Sequence, residues 1–156
     1  MIQIREALVP EELPVVRELF QEYEASLNVD LCFQGFAEEL AGLPGKYSSP
    51  NGGIWLAVDG ENVAGCIALR PLDADRAEMK RLFVRPAFRG SGAGRKLVEH
   101  LLVKAAEVGY RRVCLDTLPT MTGAITLYRT LGFTEIEPYY SNPVHGALFM
   151  ERSVGD

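Results

Sequence analysis

Little in this chain supports metal or disulfide chemistry. Its cysteines, Cys32, Cys66 and Cys114, are odd in number and far apart, and no Cys-x-x-Cys pair or Cys/His cluster occurs. They read as reduced thiols in a reducing compartment. His100 and His145 are isolated from one another, so no metal site is expected. No apolar run approaches the ~18 residues of a membrane span, and Met1–Glu6 lacks the basic-then-apolar layout of a signal peptide. A cytoplasmic protein without a membrane partner is therefore expected. Repeats, low-complexity tracts and linkers are also missing. One domain over residues 1–156 is the simplest organisation, and it is long enough to bury a proper core.

The net charge of −5 hides an asymmetry. Between Lys80 and Arg112 stand nine basic residues and only Glu99 and Glu107 as acids, whereas residues 1–42 hold nine acids against Arg5 and Arg17. A basic segment inside an acidic chain suggests a local anionic ligand; a nucleic-acid track would want a basic domain, so no nucleic-acid partner is expected. Solvated helix and strand faces explain the same charges equally well.

Periodicity divides the chain into short elements. Ile2–Glu6 alternates as a strand, and Val16, Leu19, Phe20, Tyr23 and Leu27 recur at helical spacing over Glu11–Leu27. Pro14 fits that helix only in its first turn. A second short helix is expected at Phe33–Ala41. Strands follow at Ile54–Val58, Asn62–Leu72 and Arg76–Val84, the first two joined by the hairpin signal Asp59-Gly60. Gly92–Val108 carries one apolar helical stripe, Arg112–Thr117 returns as a strand, and Thr120–Leu131 is helical with Gly132 as its stop. Phe133–Glu137 and Ala147–Glu151 close the order β-α-α-β-β-β-α-β-α-β-β. That order is an α/β sandwich around a mixed sheet.

The most informative stretch runs from Leu82 to Arg95, where a strand enters a glycine-rich turn that opens a long helix. Gly90, Gly92 and Gly94 permit positive φ and leave N–H groups uncovered at a helix N-terminus, where unpaired donors and the dipole favour phosphate. Arg89 and Arg95 bracket the turn and can add charge-assisted contacts. A tight structural loop would use the same glycines. A P-loop would need Gly-Lys-Ser/Thr where Gly94-Arg95-Lys96 stands, and a dinucleotide fingerprint would put Arg95 at its third glycine. Asp116 at the end of the next strand does mimic the ribose-binding acid of that fold, but no second substrate domain exists.

Arg89-Gly90-Ser91-Gly92-Ala93-Gly94 resembles the Arg/Gln-x-x-Gly-x-Gly/Ala acetyl-CoA motif of the GNAT superfamily of N-acetyltransferases. The likeness continues through Leu115-Asp116-Thr117 and through Ala124–Phe133, which resembles that family's Ala-x-x-x-Tyr helix and Leu-Gly-Phe ending. One departure is Met121, where many members carry Asn; Thr122 is the nearest replacement for that hydrogen bond.

The resemblance implies a GNAT-like three-layer sandwich, with a central mixed, mostly antiparallel sheet flanked by about four helices. It further implies acetyl-CoA as cosubstrate and direct transfer to a primary amine in a ternary complex. Leu82, Phe83 and Val84 would pair with the pantetheine arm. The amides of Arg89, Gly90, Ser91, Gly92, Ala93, Gly94 and Arg95 would hold the pyrophosphate, and Thr117, Ala124 and Tyr128 would line the cofactor. An N–H near Leu82 would stabilise developing negative charge.

Glu78, four residues before Leu82 and on the same side of an unbroken strand, is the candidate base, its pKa expected to be raised in a partly dry cleft. An exposed Glu78 paired with Arg81 or Arg76 is the plain alternative. Tyr128 is the candidate acid for the leaving thiolate, although tyrosine at that spacing is ordinarily core. By the same resemblance, Asn28–Phe36 and Tyr139–Pro143 flank a small-molecule amine acceptor. The acids of residues 1–42 would attract a cation, and Arg70 a carboxylate. A protein lysine or N-terminal acceptor, or a non-catalytic acyl-CoA-binding module, are the alternatives. Dimers are common among similar proteins, though no residue pattern here argues for a homodimer.

Overall fold

A computed structural model of the chain describes residues 1–27, 31 and 35–155. Seven strands form one sheet in the order β1-β2-β3-β4-β5-β7-β6. They are β1 (Gln3–Glu6), β2 (Gly53–Asp59), β3 (Asn62–Pro71), β4 (Arg76–Val84), β5 (Arg112–Thr117), β6 (Thr134–Ile136) and β7 (Leu148–Ser153). Every neighbouring pair is antiparallel except β4–β5. The helices are α1 (Leu13–Leu27), α2 (Phe36–Ala41), α3 (Ala93–Val108) and α4 (Thr122–Thr130). The expected order therefore holds, with single-turn helices added at Gly45–Tyr47 and Pro86–Phe88. Of the expected second helix, Phe33 lies outside the described residues.

Two apolar layers sandwich the sheet. On one face, Leu97, Val98, Leu101, Leu102 and Ala105 of α3 pack with Ile67, Leu69, Ala77, Met79, Val113 and Leu115. On the other, Val16, Leu19 and Phe20 of α1 and Phe36 of α2 pack with Leu56, Cys66, Ala68 and Phe83. Burying this much aliphatic and aromatic surface is the main favourable term in folding. Cys66 and Cys114 are buried, unbridged thiols; Cys32 lies outside the described residues. His100 packs its ring edge-on to Trp55 at 6.0 Å.

The sequence charge asymmetry is partly structural. Arg85 bridges to Glu18 and Glu22 of α1, Arg81 to Glu39 of α2, and Arg5 to Glu12. Glu12, Glu18, Glu22 and Glu39, four of the nine acids of residues 1–42, are therefore committed to internal pairs, which weakens the reading of that segment as bait for a cation.

Where β3 meets the end of β4, the backbones approach closely. A Cβ on Gly65 would overlap the Phe83 carbonyl oxygen and crowd the Val84 Cα. Gly65→Ala should therefore destabilise the fold by about 2–3 kcal/mol, as overpacking against backbone does. That is a Tm drop of roughly 4–12 °C at this size, read by thermal denaturation; an unchanged Tm would contradict the close approach.

Candidate active site

One irregular strand organises the site. Against β3, Phe83 pairs with Cys66 but Lys80 pairs with Ala68, so β4 spends one extra residue on the same span. Arg81 absorbs the bulge at φ 63°, an uncommon angle for a side chain of this size. On its other edge, β4 pairs with β5 only as far as Glu78↔Cys114. Beyond that point the parallel strands separate, and a cleft opens between Met79–Leu82 of β4 and Leu115–Thr117 of β5.

The bulge also resets which side chains share a face. Ala77, Met79, Leu82 and Val84 pack toward α3, whereas Lys80 lies opposite Ala68, Glu78 opposite Arg70, and Phe83 beneath α1. Arg81 joins this second face by reaching Glu39 on α2. Glu78 and Leu82 therefore point to opposite sides. The expected shared side assumed an unbroken strand, and the extra residue overturns it.

On the α1/α2 face the polar groups are tightly satisfied. Glu78 is 1% exposed. Arg70 donates to its Oε1 from Nε at 2.8 Å and from a terminal nitrogen at 2.8 Å, and the Tyr139 hydroxyl donates to its Oε2 at 2.7 Å. Asp116, across the cleft on β5, accepts from the Tyr140 hydroxyl and from Asn142 Nδ2 at 3.0 Å. Arg81 makes a two-pronged pair with Glu39 at 2.9 Å and lies 5.7 Å over the Tyr23 ring and 5.1 Å over that of Phe36. Tyr139 and Tyr140 are held by edge-on packing against Phe149.

These contacts set the titration of the site. Burial alone would raise the Glu78 carboxyl, but the charges of Lys80 and Arg70 and the hydrogen bonds from Tyr139 and Arg70 outweigh it and hold it below its ordinary value. The expected raised pKa is thus reversed, because desolvation came with its own cations. Burial pushes the Lys80 ammonium down to about 8, against the opposing pull of Glu78. Burial raises Tyr128, which stays protonated at neutral pH.

At the far end of the cleft, the turn after β4 exposes backbone donors. Gly90 and Gly92 sit at φ 82° and 86° with nothing near their missing Cβ atoms. Arg89 N donates to Pro86 O, Ser91 N to Phe88 O, and Ala93 N to the Ser91 hydroxyl. Among the described residues, the N–H groups of Gly90, Gly92, Gly94 and Arg95 donate to no protein group. Leu82, Phe83, Val84, Ala124 and Leu127 wall the path from this turn toward Tyr128.

The model of the acetyltransferase (GNAT) family matches residues 13–133. An uncharacterised N-acetyltransferase of Schizosaccharomyces pombe is 38% identical over 151 residues, covering 96% of this chain and 93% of that one. The chain belongs to the GNAT acetyltransferase family. Its fold agrees. A GNAT-family acetyltransferase of Staphylococcus aureus superposes at TM-score 0.80 and 23% identity over 99% of both chains. A Salmonella typhimurium structure solved with its cofactor acetyl-CoA superposes at 0.68 and 21%, over 98% and 94%.

Within this acetyltransferase, the sequence-derived residues form two groups. Leu82–Val84, Gly90, Gly92–Arg95 and Ala124 line one cleft, and Leu82, Thr117 and Tyr128 line its continuation. Arg89 Nε folds back onto Val84 O at 3.2 Å, and Arg95 reaches Glu99 at 3.4 Å, so neither guanidinium is aimed solely at the turn. Glu78 is buried and held by Arg70, neither exposed nor paired with Arg81 or Arg76. Met121 lies in the cleft and its sulfur meets the Thr117 hydroxyl at 3.8 Å. Of the expected acceptor segment, Leu31 lines the cleft, while residues 28–30 and 32–34 lie outside the described residues. Sequence reading missed Lys80, which strand alternation places beside Glu78. It also missed the roles of Asp116, Tyr140 and Asn142, which depend on a loop returning from 24 and 26 positions away.

The lowered Lys80 pKa carries a stability signature. Between about pH 8 and its ordinary 10.5, the unfolded chain binds a proton that the folded chain does not, so Lys80 makes stability rise with pH. Lys80→Met should be the more stable at pH 7, and its advantage should shrink by about 1–3 kcal/mol towards pH 10. Denaturant unfolding of both proteins across that range checks it; a constant difference would contradict the buried ammonium.

Proposed function

We propose that this protein moves an acetyl group from acetyl-CoA to the primary amine of a small molecule, by direct attack with both substrates bound. The observation carrying this reading is the cleft itself. One end is lined by the uncovered amides of Gly90, Gly92, Gly94 and Arg95, and the other by Lys80, Asp116 and Asn142, with Glu78 buried beside Lys80 on the same face. The residues present fit the carrier: bare donors at the N-terminus of α3 suit a diphosphate, and the unpaired edge of Met79–Val84 suits an extended amide arm.

When bound, acetyl-CoA supplies an activated acyl thioester. The chain's own groups do the rest. The Gly90–Arg95 amides anchor one end, while the bulged backbone near Leu82 presents a donor where negative charge grows. Glu78, ionised at any physiological pH, attracts the acceptor ammonium and takes its proton, directly or through water. Because Glu78 is a weak base, transfer should speed up as the medium itself begins to deprotonate the amine. Tyr128, buried and protonated, returns a proton to the departing sulfur. Enclosure of this face by α1, α2 and Tyr139–Asn142 favours a compact acceptor over a protein chain.

Three measurements test this. Acetyl-CoA should raise Tm by mass action, while NAD and ATP should not; no shift would remove the reading. An amine panel assayed for released thiol should show turnover with small amines above lysine peptides; preference for peptides would favour a protein acceptor, and binding without any turnover a non-catalytic module. Tyr128→Phe should lower kcat by about tenfold or more with acetyl-CoA affinity nearly unchanged, whereas Glu78→Gln should lower kcat/KM by about 10²–10⁴. An undiminished kcat in either variant would exclude that residue's role.

A further inference from the structure

Of the chain's lysines, Lys46, Lys80, Lys96 and Lys104, one has an environment unlike the rest. Lys46 is exposed, Lys96 reaches the Ile2 carbonyl, and Lys104 pairs with Glu107 on the surface. Lys80 is 6% exposed and lines the same cleft as Leu82, Thr117 and Tyr128. It stands two residues before Leu82, whose backbone would face the thioester, and on the side assigned above to the acceptor amine. It is a primary amine on the acceptor's own ground.

We propose that Lys80 is an acetyl acceptor within its own molecule, taking the acetyl group when no amine substrate occupies the cleft. This rests on the function proposed above, since it needs acetyl-CoA bound between β4 and β5. The step balances as an ordinary transfer. The Lys80 Nζ lone pair forms the new N–C bond, the C–S bond breaks, and the nitrogen loses one proton while the sulfur gains one. The products are Nε-acetyl-lysine and CoA thiol.

Two features favour the step over random surface acetylation. With a pKa of about 8, roughly one Lys80 in ten is a neutral nucleophile at pH 7, against about one in three thousand for an ordinary lysine. The charged groups facing it among the described residues are Glu78 and Arg70 at one end of the face, Arg81 on its own strand and Asp116 across the cleft. Burial is the largest influence on its protonation. The same surroundings supply the acid, Tyr128, that a leaving thiolate needs. Acetylation would also delete a cation that holds Glu78 ionised, giving a self-modified enzyme with a slower transfer to amines.

The test incubates the whole protein with acetyl-CoA and no amine, in parallel with Lys80→Arg, and follows intact mass, peptide mapping and thiol release. One acetyl group should appear on Lys80, with a thiol burst near one equivalent, at least about tenfold faster than on Lys46, Lys96 or Lys104, a margin of about one pKa unit in reactive amine. Lys80→Arg should lose both. A good amine acceptor should suppress the label. Without any cofactor, NMR titration of the lysine side chains should find one ammonium with a midpoint near 8. If acetyl-CoA raises Tm and amines are acetylated but Lys80 stays unmodified, or the label spreads evenly over the four lysines, this inference fails and the proposed function stands. If acetyl-CoA does not bind, both fail.

Discussion

At Glu78 the hydrogen-bonded ladder between β4 and β5 stops, and three residues later, at Arg81, β4 takes in an extra amino acid. Nearly everything of functional interest follows from that interruption. A continuous sheet would satisfy its backbone donors internally and leave no cleft. Here the parallel strands part while both remain anchored, β4 by its antiparallel pairing to β3 and β5 by its pairing to β7. The strain of Arg81 at φ 63° is tolerated because its guanidinium is gripped by Glu39 and stacked between Tyr23 and Phe36. Bulges of this kind commonly re-aim side chains beside active sites, and this one turns Lys80 and Arg81 to the same face.

The α1/α2 face then carries an electrostatic cost that the structure meets locally. Three cations and three carboxylates are gathered under helices, and isolated buried charges would be prohibitive. Each carboxylate instead has dedicated partners: Arg70 and Tyr139 for Glu78, Arg81 for Glu39, Tyr140 and Asn142 for Asp116. The result is a rigid polar floor in which Glu78 stays ionised and Lys80 sits near its titration midpoint in mildly alkaline conditions. A carboxylate tuned downward is a poor proton store but a good electrostatic docking point for an ammonium. That division of labour differs from a base made strong by a dry pocket.

Much of this fold was legible in the sequence because its helices and strands obey their periods. The Gly92–Val108 stripe, the Arg76–Val84 and Arg112–Thr117 strands and the Gly90–Gly94 turn all lie where local pattern places them, and the family motif follows from the same residues. The bulge was not legible. Arg81 is an ordinary strand residue by composition, and nothing local marks it as the extra one. Missing it put Glu78 and Leu82 on one face and, with burial considered apart from Arg70 and Lys80, gave the wrong direction for the Glu78 pKa. The loop tyrosines were legible only as aromatic lining. Their bonds to Glu78 and Asp116 join positions brought together by the β5–β7 pairing alone.

The central claim is that the Gly90–Arg95 amides and the separated edge of β4 together form one binding surface for acetyl-CoA. Titrating ¹⁵N-labelled protein with acetyl-CoA and following the backbone amide resonances addresses it directly. The account predicts the largest shifts at Gly90, Gly92, Gly94 and Arg95 and along Leu82–Val84, with little change on β1, β2 or the outer face of α3. Shifts confined to another surface, with those amides unmoved at saturation, would contradict it.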